Sequence, residues 1–228
     1  MNESDLELGD GRTLHVYDTG GEGQLAVFWH HGTPNIGTPP APLFSTSERL
    51  GIRWVSYDRP GYGGSTAVPG RDIASAASYV GQVADALGIA RFGVMGHSGG
   101  GAHELACGAL LAERVLGVVS VAGLAPFGAE GLDWFAGMVP GGVASLRAAV
   151  AGRAAKGAHE ATAEFDPEMF TPADHAALAA EWSWFGSVVD PALAAGPGGL
   201  IDDDLAHVTP WGFDPAGVVA PTLLLHGA

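Results

Sequence analysis

Residues 91–111, RFGVMGHSGGGAHELACGALL, decide the fold. RFGVM has the apolar composition of a buried strand, and residues 99–113 carry apolar side chains at helical spacing. Between them stands GHSGG, residues 96–100, which fits the pattern G-x-S-x-G. The pattern alone is weak evidence in a chain with 36 glycines. A serine at a tight turn from strand to helix, however, is typical of a nucleophile, so we predict that Ser98 is catalytic.

Strand and helix patterns alternate on both sides of this turn. The opening residues 6–8 and 13–17 alternate apolar and polar, which predicts an antiparallel hairpin. From residue 24 to residue 123 the predicted order is β-α-β-α-β-α-β, with strands at 24–32, 52–58, 91–95 and 115–123 and helices at 43–50, 71–88 and 99–113. This order predicts an α/β fold: a mostly parallel sheet with helices on both faces. Such sheets carry their chemistry at the carboxyl ends of the strands.

The pattern changes after Leu124. Residues 125–213 contain helical segments, at 143–159 and 172–185, and no convincing strand. PTLLLHG, residues 221–227, then predicts one more buried parallel strand. We therefore divide the chain into the first part of a core at 1–124, an inserted helical cap at 125–213 and a return to the core at 214–228. The cap contains a cluster of aromatic residues: Trp134, Trp182, Trp184, Phe185 and Trp211.

Charge and composition restrict the partners. The formal net charge of −15 repels phosphate backbones and anionic lipid, so we expect neither nucleic acid nor a membrane surface as a partner. The acidic N-terminus lacks the apolar core of a signal peptide, and we expect a cytoplasmic protein. The single cysteine, Cys107, cannot form an intramolecular disulfide and is expected to be buried. The oligomeric state stays undetermined.

A second segment supports the prediction for Ser98. HHGTPNIG, residues 30–37, follows the first core strand at the same predicted edge of the sheet. An oxyanion hole needs two N–H donors, which the backbone of Gly99 and of Thr33 would supply. The N-terminus of the helix after Ser98 would add the positive end of its dipole.

The chain resembles the α/β-hydrolase superfamily, and the matching residues are HGTP (31–34), DRPGYGGS (58–65), GHSGG (96–100) and PTLLLHG (221–227). The resemblance implies the α/β-hydrolase fold with a helical cap and a serine nucleophile. It also implies a triad in the order serine, acid, histidine, with both partners after the strand PTLLLHG. Since the sequence ends at Ala228, we expect the acid, the histidine and the final strand and helices to lie beyond it.

The expected function is a serine hydrolase that cleaves a small carboxylic ester through an acyl-enzyme on Ser98. The substrate is a small-molecule ester or amide, and neither a cofactor nor a metal is required. One alternative is an aminopeptidase of the proline-iminopeptidase type, which needs an acidic group in the cap to hold a substrate amine; the candidates are Glu160, Glu164, Asp166, Asp202, Asp203 and Asp204. Another is a non-catalytic binding protein of the same fold.

Other polar residues are given structural roles. Asp133 and His207 are the weaker candidates for acid and base within the chain, and both are expected to be cap or surface residues. His97 is expected to shape the pocket and His103 to pack against its helix, while His30, His31 and His226 are expected to be structural. Asp58 and Arg59 are expected to form an ion pair that holds their loop.

The last strand leads to a prediction about solubility. With no strand after it, PTLLLHG would form an exposed apolar sheet edge, which is a template for aggregation. We expect the 228-residue chain to give less monomer on size-exclusion chromatography than a version extended by the missing strand and helices. Equal monomer yields would contradict this expectation.

Overall fold

The structure is a computed structural model that describes residues 1–21, 24–164 and 166–227. Within these residues seven strands form one sheet, in the order β1-β2-β4-β3-β5-β6-β7. Strands β1 and β2 form an antiparallel hairpin, β2 is antiparallel to β4, and the other neighbours are parallel. Their bounds are Asn2–Glu7, Thr13–Asp18, Leu25–His30, Ile52–Tyr57, Phe92–His97, Val115–Val121 and Thr222–Leu225 for β1 to β7. The predicted mostly parallel sheet is confirmed.

Helices cover the sheet and fill the segment between β6 and β7. Their bounds are Phe44–Leu50, Ser75–Ala86, Gly101–Leu110, Pro140–Val150, Arg153–Glu160, Pro172–Leu178, Trp184–Ala192 and Gly198–His207 for α1 to α8. Short 3-10 turns occupy Ala41–Leu43, Ser98–Gly100, Pro167–Met169 and Pro215–Gly217. No helix in the described parts of the chain has the length and apolar character needed to span a membrane.

Three details of the predicted elements were wrong. The helix expected at 143–159 is divided into α4 and α5, because Gly152 adopts a left-handed φ of 104°. The helix expected at 172–185 is likewise two helices, α6 and α7, and α8 was not predicted. Strand β7 is parallel as expected and lies at the edge of the sheet, where Leu223, Leu224 and Leu225 are between 46% and 67% exposed; this matches the exposed apolar edge expected for it rather than a buried strand.

Alternate residues of β3 pack on opposite faces of the sheet. Phe28 joins the larger core beneath α2 and α3, where its ring lies 4.7 Å from that of Phe92. Trp29 points to the other face and packs with Trp54 and, from α7, Trp184. This period of two explains why the apolar run of β3 is continuous, since both faces are covered.

Buried ion pairs connect α5 to α8. Lys156 of α5 is the only lysine of the chain and is fully buried. Its Nζ lies 2.6 Å from Asp204 Oδ2 and 2.6 Å from Glu160 Oε1, and it also donates to Ser145 Oγ. Burial raises the pKa of Asp204, so this carboxylate depends on the ammonium beside it.

We predict that Lys156→Met destabilises the fold by about 3–5 kcal/mol, because it leaves a buried carboxylate without its counter-charge. The matched control is Arg12→Met, which breaks an exposed pair with Asp10 and a bond to Tyr79 Oη and should destabilise the fold much less. Urea unfolding of both variants at neutral pH measures the two costs. Equal losses of stability would show that the Lys156 cluster contributes no more than a surface pair.

Candidate active site

Ser98 lies at the turn between β5 and α3. Its φ of 52° is in the left-handed region, which non-glycine residues rarely adopt and which costs of order 1–2 kcal/mol. The residue is half-buried and begins the 3-10 turn that leads into α3. The surrounding structure must therefore hold Ser98 in a conformation that it would not choose alone.

Two glycines, each two residues from Ser98, allow the backbones of strand and helix to approach closely. A Cβ on Gly100 would collide with the carbonyl oxygen of His30 and would lie 2.8 Å from that of His31. A Cβ on Gly96 would collide with the carboxyl group of Glu104 in α3. Side chains at either position would push α3 away from the sheet and release the turn.

The two residues predicted for the oxyanion hole are in contact. A Cβ on Gly99 would collide with Thr33 Oγ1 and would lie 2.9 Å from Thr33 Cβ. The loop after β3 therefore packs directly against the residue that follows Ser98, as a two-donor site requires.

Arg59 binds the backbone of this loop. Its guanidinium donates to the carbonyl oxygen of His31, to that of Gly32 at 3.0 Å and to Thr33 Oγ1 at 3.1 Å. Arg59 is buried, so these bonds are shielded from water. Three consecutive residues of the loop are thus held by one side chain.

Asp203 of α8 neutralises Arg59 at the centre of a buried network. Its carboxylate accepts hydrogen bonds from Arg59 Nη2 at 2.6 Å, Arg71 Nη2 at 2.5 Å, Thr33 Oγ1 at 2.6 Å and Tyr62 Oη at 2.8 Å. Burial alone would raise the pKa of Asp203, but the charges of Arg59 and Arg71 outweigh it and hold the pKa well below 3.8. Sequence reasoning missed Asp203, Arg71 and Tyr62 as supports of the loop with Thr33.

The expected ion pair between Asp58 and Arg59 is wrong. Arg59 pairs with Asp203, whereas the buried Asp58 carboxylate accepts the backbone N–H groups of Gly37 at 2.6 Å and Gly64 at 2.9 Å. The side chains of successive residues at the end of a strand point in different directions, so adjacency in sequence did not predict the partner of Arg59.

His207, expected to be a cap or surface residue, lies in the segment predicted as the cap and is buried. It ends α8, is 1% exposed, and its Nε2 would lie 3.3 Å from a Cβ on Gly99. Burial lowers its pKa to about 4, so the ring is neutral at pH 7. His103 also reaches Gly99, with Nδ1 2.9 Å from the carbonyl oxygen, which agrees with its expected packing role.

The remaining histidines have the expected structural surroundings, except that His226 is exposed. Burial lowers the pKa of His30 to about 3. His31 donates from Nδ1 to the Gly32 carbonyl oxygen at 2.8 Å and accepts the Arg59 backbone N–H at Nε2, 3.0 Å away. These two bonds fix its neutral tautomer. His226 follows the exposed β7, and its Nδ1 lies 3.3 Å from the carbonyl oxygen of the next residue.

Aromatic side chains surround His97, the residue before Ser98. Its ring is parallel to that of Trp29 at 6.5 Å and lies 5.4 Å from Phe185 of α7. Burial lowers the pKa of His97, which keeps it neutral. Helix α7 also bonds the loop directly, since Ile36 N–H donates to the Val188 carbonyl oxygen at 2.8 Å. Helix α7 therefore lies beside the turn that carries Ser98.

The acidic residues considered for other roles are placed elsewhere. Asp133 is exposed, and its carboxylate accepts the Phe135 N–H at 3.3 Å. Asp202, Asp203 and Asp204 are buried, and each pairs with a cation of the chain. In the described residues no three His, Cys, Asp or Glu side chains are grouped to hold a metal ion.

Comparison with known proteins identifies the family. A family model of the alpha/beta hydrolase fold matches residues 26–205, and no curated protein matches the chain. Three solved structures are similar over most of both chains. A bromoperoxidase from Bacillus anthracis is 22% identical, with 99% of this chain and 81% of that chain covered and a TM-score of 0.71. The enol-lactonase from Burkholderia xenovorans LB400 is 20% identical, with 97% of this chain and 80% of that chain covered and a TM-score of 0.68. A thermophilic esterase from Thermogutta terrifontis is 20% identical, with 98% of this chain and 79% of that chain covered and a TM-score of 0.67.

At these identities the structural likeness shows the fold alone. The family model, in contrast, covers more than half of the chain and includes both the loop after β3 and the turn at Ser98. The chain belongs to the α/β-hydrolase fold family.

Proposed function

We propose that this protein is a serine hydrolase that cleaves a small carboxylic ester through an acyl-enzyme on Ser98. The observation that carries the proposal is the left-handed backbone of Ser98 at the end of β5, with Thr33 packed against Gly99. A strained serine between a strand and a helix presents its hydroxyl at the carboxyl edge of the sheet.

The proposed reaction has two steps. Ser98 Oγ attacks the ester carbonyl carbon, the C–O bond to the alcohol breaks, and the serine proton passes through a base to the leaving alcohol. Water then attacks the acyl carbon, and the acid leaves as Ser98 regains its proton. The N–H groups of Thr33 and Gly99 stabilise the oxyanion in both steps.

The base is not assigned to a histidine near the turn. His207 is a weak base, because burial lowers its pKa to about 4. His97 is held parallel to Trp29 and near Phe185. Neither the base nor its acid is assigned among the described residues.

The surroundings of Ser98 favour an apolar acyl or alcohol group. Trp29 of β3 and Trp184 and Phe185 of α7 provide aromatic surface next to His97. We propose that the helices between β6 and β7 act as the cap, with α7 as its part closest to the substrate. Among the similar structures, the esterase and the enol-lactonase have names that describe ester chemistry.

No observation favours the aminopeptidase alternative. Asp202, Asp203 and Asp204 each bind an arginine or lysine of the chain, and Glu160 binds Lys156. A carboxylate that already neutralises a cation does not supply the free charge that a substrate amine needs. The other two candidates, Glu164 and Asp166, are exposed, and Asp166 accepts the backbone N–H of Glu168 at 2.9 Å.

We predict that a fluorophosphonate adds once per chain at Ser98, because an activated serine is the group that this reagent phosphonylates. Intact-mass spectrometry of the full protein should show one adduct, and Ser98→Ala should show none. The mass also gives the length of the chain that reacts. A folded protein that gives no adduct, or an adduct that survives in Ser98→Ala, would overturn the proposed nucleophile.

We predict that Asp203→Asn lowers kcat for p-nitrophenyl butyrate by about 10- to 100-fold while KM changes less, because Arg59 no longer holds the Thr33 loop in position. The matched control is Asp202→Asn, one residue away, whose partner is Arg153 rather than the loop. Its kcat should stay within about twofold of wild type. Equal losses of kcat in both variants would show a general effect of α8 rather than positioning of the oxyanion donors.

A further inference from the structure

Four buried nitrogen atoms next to Ser98 make no hydrogen bond within the described residues. They are Trp29 Nε1, Asn35 Nδ2, His97 Nδ1 and Trp184 Nε1. Trp29 and Asn35 are each only 4% exposed. Buried polar groups nearly always have a partner, so several unpartnered nitrogens in one place need an explanation.

The four side chains belong to one continuous cluster. A Cβ on Gly32 would lie 3.3 Å from His97 Nδ1 and 3.4 Å from Asn35 Nδ2, so both nitrogens face the same point. The ring of Trp29 lies 6.5 Å from that of His97 and meets that of Trp184 edge-on at 6.5 Å.

This cluster, Trp29-Asn35-His97-Trp184, adjoins the proposed reaction site. His97 precedes Ser98, and Asn35 follows Thr33 by two residues in the loop that packs against Gly99. Thr33, His97 and Ser98 are half-buried, so solvent reaches the rim of the cluster. This rim is therefore the side of the cluster that would face a substrate bound at Ser98.

The cluster offers donors without positive charge. Two indole N–H groups and one amide group can only donate at the unpartnered atoms, whereas His97 Nδ1 donates or accepts according to the tautomer of the ring, which is neutral because burial lowers its pKa. The nearest cation bound to the loop, Arg59, is neutralised by Asp203. An uncharged oxygen fits such a site better than a carboxylate, whose desolvation would have no cation to offset it.

The other unpartnered buried atoms belong to Tyr57, Arg71, His103, Glu104 and His207. That set includes the acceptor oxygens of Glu104, so it does not consist of donors alone. The cluster beside Ser98 has no carboxylate, and an external acceptor is what it lacks.

We propose that the Trp29-Asn35-His97-Trp184 cluster is a substrate subsite that binds a neutral oxygen acceptor, a ketone or ether oxygen, carried by the ester close to its scissile bond. The assignment rests on the proposed function, because it takes Ser98 as the point of attack. It narrows the substrate class from an apolar ester to an ester with a second, uncharged oxygen.

Kinetics with two substrates of equal size tests the subsite. p-Nitrophenyl methoxyacetate differs from p-nitrophenyl butyrate by an ether oxygen in place of a methylene group, and the ratio of their kcat/KM values is compared between variants. The difference in intrinsic reactivity between the two esters is the same for every variant, so it cancels when the ratios are compared. We expect Asn35→Leu and Trp29→Phe each to lower the preference for the methoxyacetate by about 3- to 10-fold, the effect of one net hydrogen bond between neutral groups.

The matched control is Trp182→Phe, the same substitution at an indole whose nitrogen is not among the unpartnered atoms. It should leave the ratio of the two substrates unchanged. Unchanged ratios in Asn35→Leu and Trp29→Phe, or an equal change in Trp182→Phe, would overturn the subsite.

A binding experiment separates the subsite from the chemistry. In Ser98→Ala labelled with ¹⁵N, the indole Nε1–H resonances of Trp29 and Trp184 are assigned by Trp→Phe substitution and followed during titration with ethyl acetoacetate, ethyl pentanoate and monoethyl succinate. We expect the downfield shift of a new hydrogen bond with the ketone ester alone. Equal shifts with the alkyl ester, or larger shifts with the carboxylate, would overturn the proposal, and this result does not depend on whether Ser98 is the nucleophile.

Discussion

The carboxylate of Asp203 is the interaction on which the site depends. It is fully buried and binds two guanidinium groups and two hydroxyl groups that come from two different loops. A buried charge is costly unless its partners satisfy it, so these groups can adopt only the arrangement in which all of them meet. The loop after β3, the loop after β4 and helix α8 are therefore fixed relative to one another.

The distribution of charge along the chain explains how such a network is possible. Ten lysine and arginine residues face 25 aspartate and glutamate residues. Four of those cations, Arg59, Arg71, Arg153 and Lys156, pair with the three consecutive aspartates of α8. Much of the acidic surplus remains at the surface, where it favours solubility, while scarce cations are concentrated where burial makes each pair specific.

Local patterns predicted the fold and the part of the site that local geometry determines, whereas long-range pairing was not visible in the sequence. The turn at Ser98 requires glycines two residues on either side, because strand and helix meet at backbone distance. The loop with Thr33 likewise follows directly from β3. Asp203, in contrast, lies 144 residues after Arg59, and three aspartates in a row are typical of a solvated surface. The predicted ion pair of Asp58 with Arg59 was wrong, because the side chains of adjacent residues at the end of a strand point to different sides.

Strain and unsatisfied donors occur together at one edge of this sheet. Ser98 has an unfavourable backbone conformation, and within the described residues the nitrogens of Trp29, Asn35 and Trp184 have no acceptor. Both features lower the stability of the folded chain, and both persist because Asp203 and the close-packed glycines hold the surroundings rigid. Folding alone gives no reason to keep them, whereas a substrate that brings an electrophilic carbon to Ser98 and an oxygen to the donors would use both. The energetic defects of the fold thus coincide with the place where chemistry is proposed.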